Sequence, residues 1–153
     1  MERTSPSSDW TELLRGLNDA GVRFLVVGAH AVGQYATPRA TGDLDIFIER
    51  TPENAARTMG ALLSFGAPVG DLTIGDLQSD DLIFMFGAPP LRVDILTDIS
   101  GVAFSTAWAS RVESTFGGVP VAYIGRDALL ANKRASGRPK DLADVEAIEG
   151  GDG

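Results

Sequence analysis

The alternation in Asp43-Leu44-Asp45-Ile46-Phe47-Ile48 constrains the fold more than any other stretch of the chain. In an extended strand, Leu44, Ile46 and Ile48 fall on one face and Asp43, Asp45 and Phe47 on the other, because side chains alternate with a period of two. A strand with one wholly apolar face has to bury it against another layer of structure. On the other face Asp43 and Asp45 would stand about 6.6 Å apart at Cα, given a rise of ~3.3 Å per residue. Desolvated carboxylates that close repel one another, and a cation is their natural partner. A second apolar run, Leu91-Arg92-Val93-Asp94-Ile95-Leu96, carries a lone acid, Asp94. On a neighbouring strand Asp94 would complete a set of hard oxygen donors suited to Mg²⁺ or Mn²⁺. Two such ions ~3.5–4 Å apart are the usual apparatus of phosphoryl transfer. In that arrangement Asp94 would also accept the proton of an attacking hydroxyl. The competing reading leaves all three acids as solvated strand-end residues.

Upstream, Val22-Arg23-Phe24-Leu25-Val26-Val27 reads as a buried strand that breaks into Gly28-Ala29-His30-Ala31-Val32-Gly33. Gly28 would let the backbone approach an anion closely. The free N–H groups of a helix beginning near Ala29 would point at that anion with the favourable end of the helix dipole. His30, the one histidine of the chain, lies one residue into that helix. It would either donate to a substrate oxygen or, more simply, pack beside the turn. The dinucleotide-binding pattern G-x-G-x-x-G does not occur here.

Taken together, Val26-Val27-Gly28-Ala29-His30-Ala31-Val32-Gly33, then Pro38-Arg39-Ala40-Thr41-Gly42-Asp43-Leu44-Asp45-Ile46, then Val93-Asp94-Ile95 resemble the minimal nucleotidyltransferases of the DNA-polymerase-β superfamily. The likeness is greatest to the small prokaryotic branch that includes toxin–antitoxin nucleotidyltransferases. The tail Lys133-Arg134-Ala135-Ser136-Gly137-Arg138-Pro139-Lys140-Asp141-Leu142-Ala143-Asp144 resembles the basic helix–turn–helix that closes many such domains, so the likeness spans residues 22 to 148. It implies an α/β (α+β) fold with a short mixed sheet flanked by helices. It also implies transfer of a nucleoside monophosphate from a nucleoside triphosphate to a hydroxyl, with Asp43, Asp45 and Asp94 holding two Mg²⁺ or Mn²⁺ ions. Gly28, Ala29, His30, Arg39, Thr41, Lys133 and Lys140 become the candidate nucleotide- and phosphate-binding residues, although bracing of the loop is the rival role for Arg39 and Thr41. Ala29 departs from the family, which often has serine or a second glycine there. That departure supports an alternative: a weak or inactive nucleotidyltransferase fold serving as an antitoxin-like or nucleotide-sensing partner. The acceptor (small molecule, protein or RNA end) and the choice between a partner protein and a homodimer stay open.

Composition bounds these expectations. The chain has 153 residues, 44% of them hydrophobic, enough for one core and short for two, so one domain over 1–153 with a core at about 9–148 is expected. Without cysteine there is no disulfide, thiolate metal site or thiol nucleophile. A formal charge of −8 argues against a broad nucleic-acid surface. Basic character is local, with Arg126, Lys133, Arg134, Arg138 and Lys140 set against Asp127 and Asp141. The first residues carry charge and no apolar run, and nowhere do about 18 apolar residues stand together, so no membrane association and a cytoplasmic location are expected.

The remaining elements follow from local signals. Trp10, Leu13, Leu14 and Leu17 recur at helical spacing after an Asp9/Glu12 capping box and stop at Gly21. Thr51-Pro52 opens a second helix with Ala55, Met59, Leu62 and Leu63 inward, closed by Gly66. Residues 67–80 read as a loop with a short helical turn that flanks the site. Leu82–Phe86 with Arg92–Leu96, and Val112–Thr115 with Val119–Tyr123 around Gly117-Gly118, read as hairpins. Helices near Asp127–Ala135 and Pro139–Ile148 finish the chain, with a frayed end from Gly150. Trp10 and Trp108 read as core residues, and Asp98 as a solvated residue at a strand end.

Overall fold

The expected alternation is realised in the computed structural model, which describes residues 7–38, 42–87 and 92–151. The first helix, α1 (Ser7–Asp19), buries Trp10, Leu13, Leu14 and Leu17 along one face. It begins before the expected capping box: the helix has already started at Ser7, and the Thr11 hydroxyl donates to the Ser8 carbonyl at 2.9 Å. Gly21, at φ +73°, turns the chain out of α1 into β1 (Phe24–Val27), all four residues of which are buried.

α2 (Gly28–Tyr35) follows β1 with no intervening loop, and β2 (Asp43–Ile48) returns antiparallel to β1. Arg39 and Thr41 lie outside the described residues. α3 (Pro52–Phe65) starts at Thr51, whose hydroxyl accepts from the Asn54 N–H at 3.2 Å, and ends at Gly66 in the left-handed region. Leu63 was expected to face inward and is instead 58% exposed. Its neighbour Leu62 fills the core, and one residue further along a helix turns ~100° toward solvent. A 3₁₀ turn at Asp76–Gln78 interrupts the loop that follows.

β3 (Ile83–Phe86) and β4 (Arg92–Leu96) form the first hairpin. A short helix, α4 (Phe104–Ala109), was not foreseen as an element. β5 (Val112–Phe116) and β6 (Val119–Tyr123) form the second hairpin, and both turn glycines, Gly117 and Gly118, have positive φ, as a tight two-residue hairpin requires. α5 (Arg126–Ser136) ends on Gly137 in the left-handed region, and α6 (Pro139–Gly151) extends past the expected frayed end at Gly150.

The sheet is mixed, in the order β3-β4-β2-β1-β6-β5, with β2/β4 and β1/β6 parallel and the other neighbours antiparallel. Leu44, Ile46, Val93 and Ile95 share one buried face. On that side Phe86 meets Phe65 of α3 with ring centroids 6.2 Å apart. On the opposite face Phe47 packs edge-on against Phe104 of α4 at 5.1 Å. Buried residues from the sheet and from all the helices join one hydrophobic cluster. Trp108 lies at its margin, half-buried, stacked on Phe104 and covered by the guanidinium groups of Arg111 and Arg23.

One buried polar side chain ties the parts together. Asn54 accepts from the Arg23 N–H at 2.7 Å and donates to the carbonyls of Arg23 (3.1 Å) and Glu49 (2.8 Å). It therefore fastens α3 to the chain at the start of β1 and at the end of β2. Among the described residues, no helix is long and apolar enough to cross a membrane.

Candidate functional site

The parallel pairing of β2 with β4 sets Asp45 directly opposite Asp94 and Asp43 opposite Arg92. Partnered residues in a sheet point to the same side, so all three carboxylates and Arg92 share the face opposite the Leu44/Ile46 core. Arg92 binds both outer acids: its Nη2 donates to Asp43 Oδ2 at 3.1 Å, and Nε donates to Asp94 Oδ1 at 3.1 Å. Asp94 and Asp43 push the guanidinium pKa above its ordinary value. Arg92 received no role from the sequence, although its Arg-x-Asp spacing before Asp94 already put the two on one face.

Asp45 is half-buried, with one carboxylate oxygen fully enclosed. Desolvation first, then the charge of Asp94, a hydrogen bond with it and the charge of Asp43 raise its pKa to about 7; Lys133 acts weakly in the opposite sense. Its Oδ1 is buried without a hydrogen-bond partner among the described residues. Directly against it lies Gly28, at φ +71°: a Cβ there would overlap Asp45 Oδ2 and stand 2.9 Å from Cγ. Glycine at position 28 is thus required by the approach of the Asp45 carboxylate to the start of α2 as well as by the backbone angle.

Gly28 and Asp45 open onto a cavity of about 340 Å³ whose far wall is the α5/α6 junction, with Lys133, Ser136, Arg138 and Asp141. Asp81, Ile83 and Asp98 border its other side. Asp98 is exposed, as expected, and Asp81 is the one non-glycine residue with positive φ among those described. The loop at residues 67–80 contributes no lining residue.

The geometry divides the other candidates. Ala29 and His30 line a separate cavity with Phe116 and Tyr123 and do not border the one at Asp45. His30 packs edge-to-face against Trp10 at 5.2 Å and Phe116 at 5.0 Å. Burial there lowers its pKa, partly offset by a hydrogen bond to the Asp43 backbone and by the Asp43 charge. That is the packed histidine of the simpler account. Lys133 borders the Asp45 cavity, but its ammonium is held at 3.2 Å by Asp141 and 3.1 Å by Asp144, with only 10% of its side chain exposed. Lys140 is exposed and is not among the cavity-lining residues.

For a hard divalent cation the donors are chemically right, and the orphaned Asp45 Oδ1 is the atom such an ion would satisfy. Among the described residues, however, no three acidic or imidazole side chains are already grouped to hold a metal. Arg92 supplies the cation between Asp43 and Asp94. Its ion pairs are partly exposed, and pairs of that kind exchange at small cost. A comparison with protein-family models found no match, and neither did a comparison with curated proteins.

Proposed function

We propose that the chain is a nucleotidyltransferase-like domain. In this reading it moves a nucleoside monophosphate from a nucleoside triphosphate to a hydroxyl acceptor and releases pyrophosphate. The observation that carries the reading is the register of Asp45 opposite Asp94, with Asp43 on the same face and the start of α2 against Asp45. Asp43, Asp45 and Asp94 would hold Mg²⁺ or Mn²⁺ once Arg92 gives way. When bound, the ions neutralise phosphate charge and lower the pKa of the attacking hydroxyl.

The chain's own residues contribute positioning and charge, which is most of what phosphoryl transfer asks of a protein. Gly28 keeps space for the Asp45 carboxylate, and the N–H groups at the start of α2 offer the positive end of the helix dipole. Asp94 is the base: it takes the proton of the acceptor hydroxyl as the new O–P bond forms and the bond to pyrophosphate breaks. Arg92, displaced from Asp43 and Asp94, is left beside the developing charge.

A second reading has specific support. Arg92 already satisfies Asp43 and Asp94, and Ala29 offers no hydroxyl; both suit a nucleotide-sensing or antitoxin-like module on an inactivated site. Titration calorimetry with Mn²⁺ and a non-hydrolysable nucleoside triphosphate tests the shared premise. Joint binding by the wild type that is lost in Asp45→Ala supports a nucleotide site, and absence of binding removes the transferase and nucleotide-sensing readings and leaves only the antitoxin-like module.

A further inference from the structure

Beyond any metal ions, a triphosphate in the Asp45 cavity meets a wall that includes four acidic residues, Asp45, Asp81, Asp98 and Asp141. Among its described lining residues only Lys133 and Arg138 are cationic. Lys133 is enclosed and shared between two buried carboxylates. Arg138 has the opposite character: its side chain is 75% exposed, and only its Nε is engaged.

The engagement is itself well supported. Asp141, with its side chain 3% exposed, accepts from Arg138 Nε at 2.8 Å and from the Ser136 hydroxyl at 2.6 Å through Oδ2. Its Oδ1 accepts from Lys133 Nζ at 3.2 Å. Ser136 Oγ also accepts from Arg138 Nε at 3.1 Å. Burial alone would raise the Asp141 pKa, but the bonds from Ser136, Arg138 and Lys133 outweigh it and bring the value down to about 2. A fixed carboxylate thus holds the near edge of the guanidinium. The two terminal nitrogens carry the remaining four N–H donors, and no hydrogen bond from them is formed among the described residues. A planar fork held from behind loses little freedom on meeting a phosphate, and bidentate bonds to phosphate are what this side chain makes best.

We propose that Arg138, clamped by Asp141 and Ser136, is the residue that recognises the phosphate chain of the nucleotide beside Asp45. The inference rests on the nucleotidyltransferase reading. It moves phosphate recognition from Lys133 and Lys140 to a side chain oriented by the turn between α5 and α6. Ser136 and Asp141 are then positioning residues.

Calorimetry with ATP and with inorganic tripolyphosphate, each with Mn²⁺ at fixed salt, tests it on the wild type and on Arg138→Gln, Arg138→Lys and Ser136→Ala. Arg138→Gln is expected to weaken both ligands by the same factor, roughly tenfold or more. Arg138→Lys should restore little, because an ammonium cannot dock on Asp141 and present a fork at once. Ser136→Ala should fall between, and binding is measured well below the melting temperature of each variant, because each loses a bond to the buried Asp141. Wild-type binding that is unchanged in Arg138→Gln, or a loss confined to ATP and absent for tripolyphosphate, overturns the inference and leaves the nucleotide site standing. Failure of the wild type to bind either ligand removes the nucleotide reading on which the inference depends.

Discussion

Gly28 and Asp45 exclude any larger residue at position 28: the left-handed backbone of the glycine brings the start of α2 against the carboxylate, where a Cβ would overlap Oδ2. The strand-to-helix break and the Asp45 carboxylate are therefore one feature. Gly28→Ala is expected to cost about 1–2 kcal/mol for the left-handed backbone alone, plus the displacement of Asp45. In the Asp45→Ala background the same substitution should cost less, because the overlapping oxygen is gone. Urea unfolding of the two single variants and the double variant measures that coupling, and additive costs would mean that the contact is not felt.

Asp45 makes the metal-free protein sensitive to pH. Its pKa in the folded protein, about 7, lies above its ordinary value of 3.8, so between those values the folded chain holds a proton that the unfolded chain has released. Stability from this group is complete below about pH 4 and falls as pH rises toward 7, by roughly 2–4 kcal/mol. Asp45→Asn should remove that slope and be more stable than the wild type at pH 8. Equilibrium unfolding at pH 5 and pH 8 reads the difference; equal pH dependence in both proteins would show that Asp45 ionises freely in the fold. Asp141, with its pKa lowered to about 2, contributes stability that is lost only as pH falls from about 4 through 2, outside this window.

Arg92 competes with any cation for Asp43 and Asp94. Arg92→Ala is expected to lower the melting temperature of the metal-free protein, because Asp43 and Asp94 then lose the guanidinium that bridges them. It should also enlarge the rise in melting temperature on adding Mn²⁺. Thermal scans with and without Mn²⁺ decide between this and a purely structural arginine, for which the Mn²⁺ response would not grow.

Asn54 is the test of the scaffold. Asn54→Ala leaves the Arg23 N–H and the carbonyls of Arg23 and Glu49 without their side-chain partner. A loss of about 1–3 kcal/mol is expected, from part-buried polar groups that lose a partner and a small cavity. A change below ~1 kcal/mol in urea unfolding would show that water replaces these bonds readily.

Much of the frame was legible because it rests on short-range rules. The period-two pattern located β2 and β4 and put Asp43, Asp45 and Asp94 on one face. Thr51-Pro52 and Gly66 bounded α3, and Gly117-Gly118 located the second hairpin. What stayed hidden depends on distances between elements. Nothing local tells that Lys133 meets Asp141 and Asp144 across a helix turn, or that Ala29 and His30 open to a different cavity from Gly28. α4 went unplaced because its six residues are too few to show a helical period. Leu63 was misassigned because the buried stripe of α3 runs through Ala55, Thr58, Met59, Ala61 and Leu62, and Leu63 falls one step beyond it.

The central claim is tested most directly by transfer itself. The wild type, with Mg²⁺ or Mn²⁺ and each α-labelled nucleoside triphosphate, is offered a panel of protein, RNA-end and small-molecule hydroxyl acceptors. Covalent label on an acceptor with release of pyrophosphate is expected for the wild type. Asp94→Asn should lose it by at least about a hundredfold while keeping nucleotide affinity, the signature of lost chemistry rather than lost binding. Nucleotide binding without transfer to any acceptor, or transfer undiminished in Asp94→Asn, would contradict the assignment of Asp43, Asp45 and Asp94 as a working nucleotidyltransferase centre.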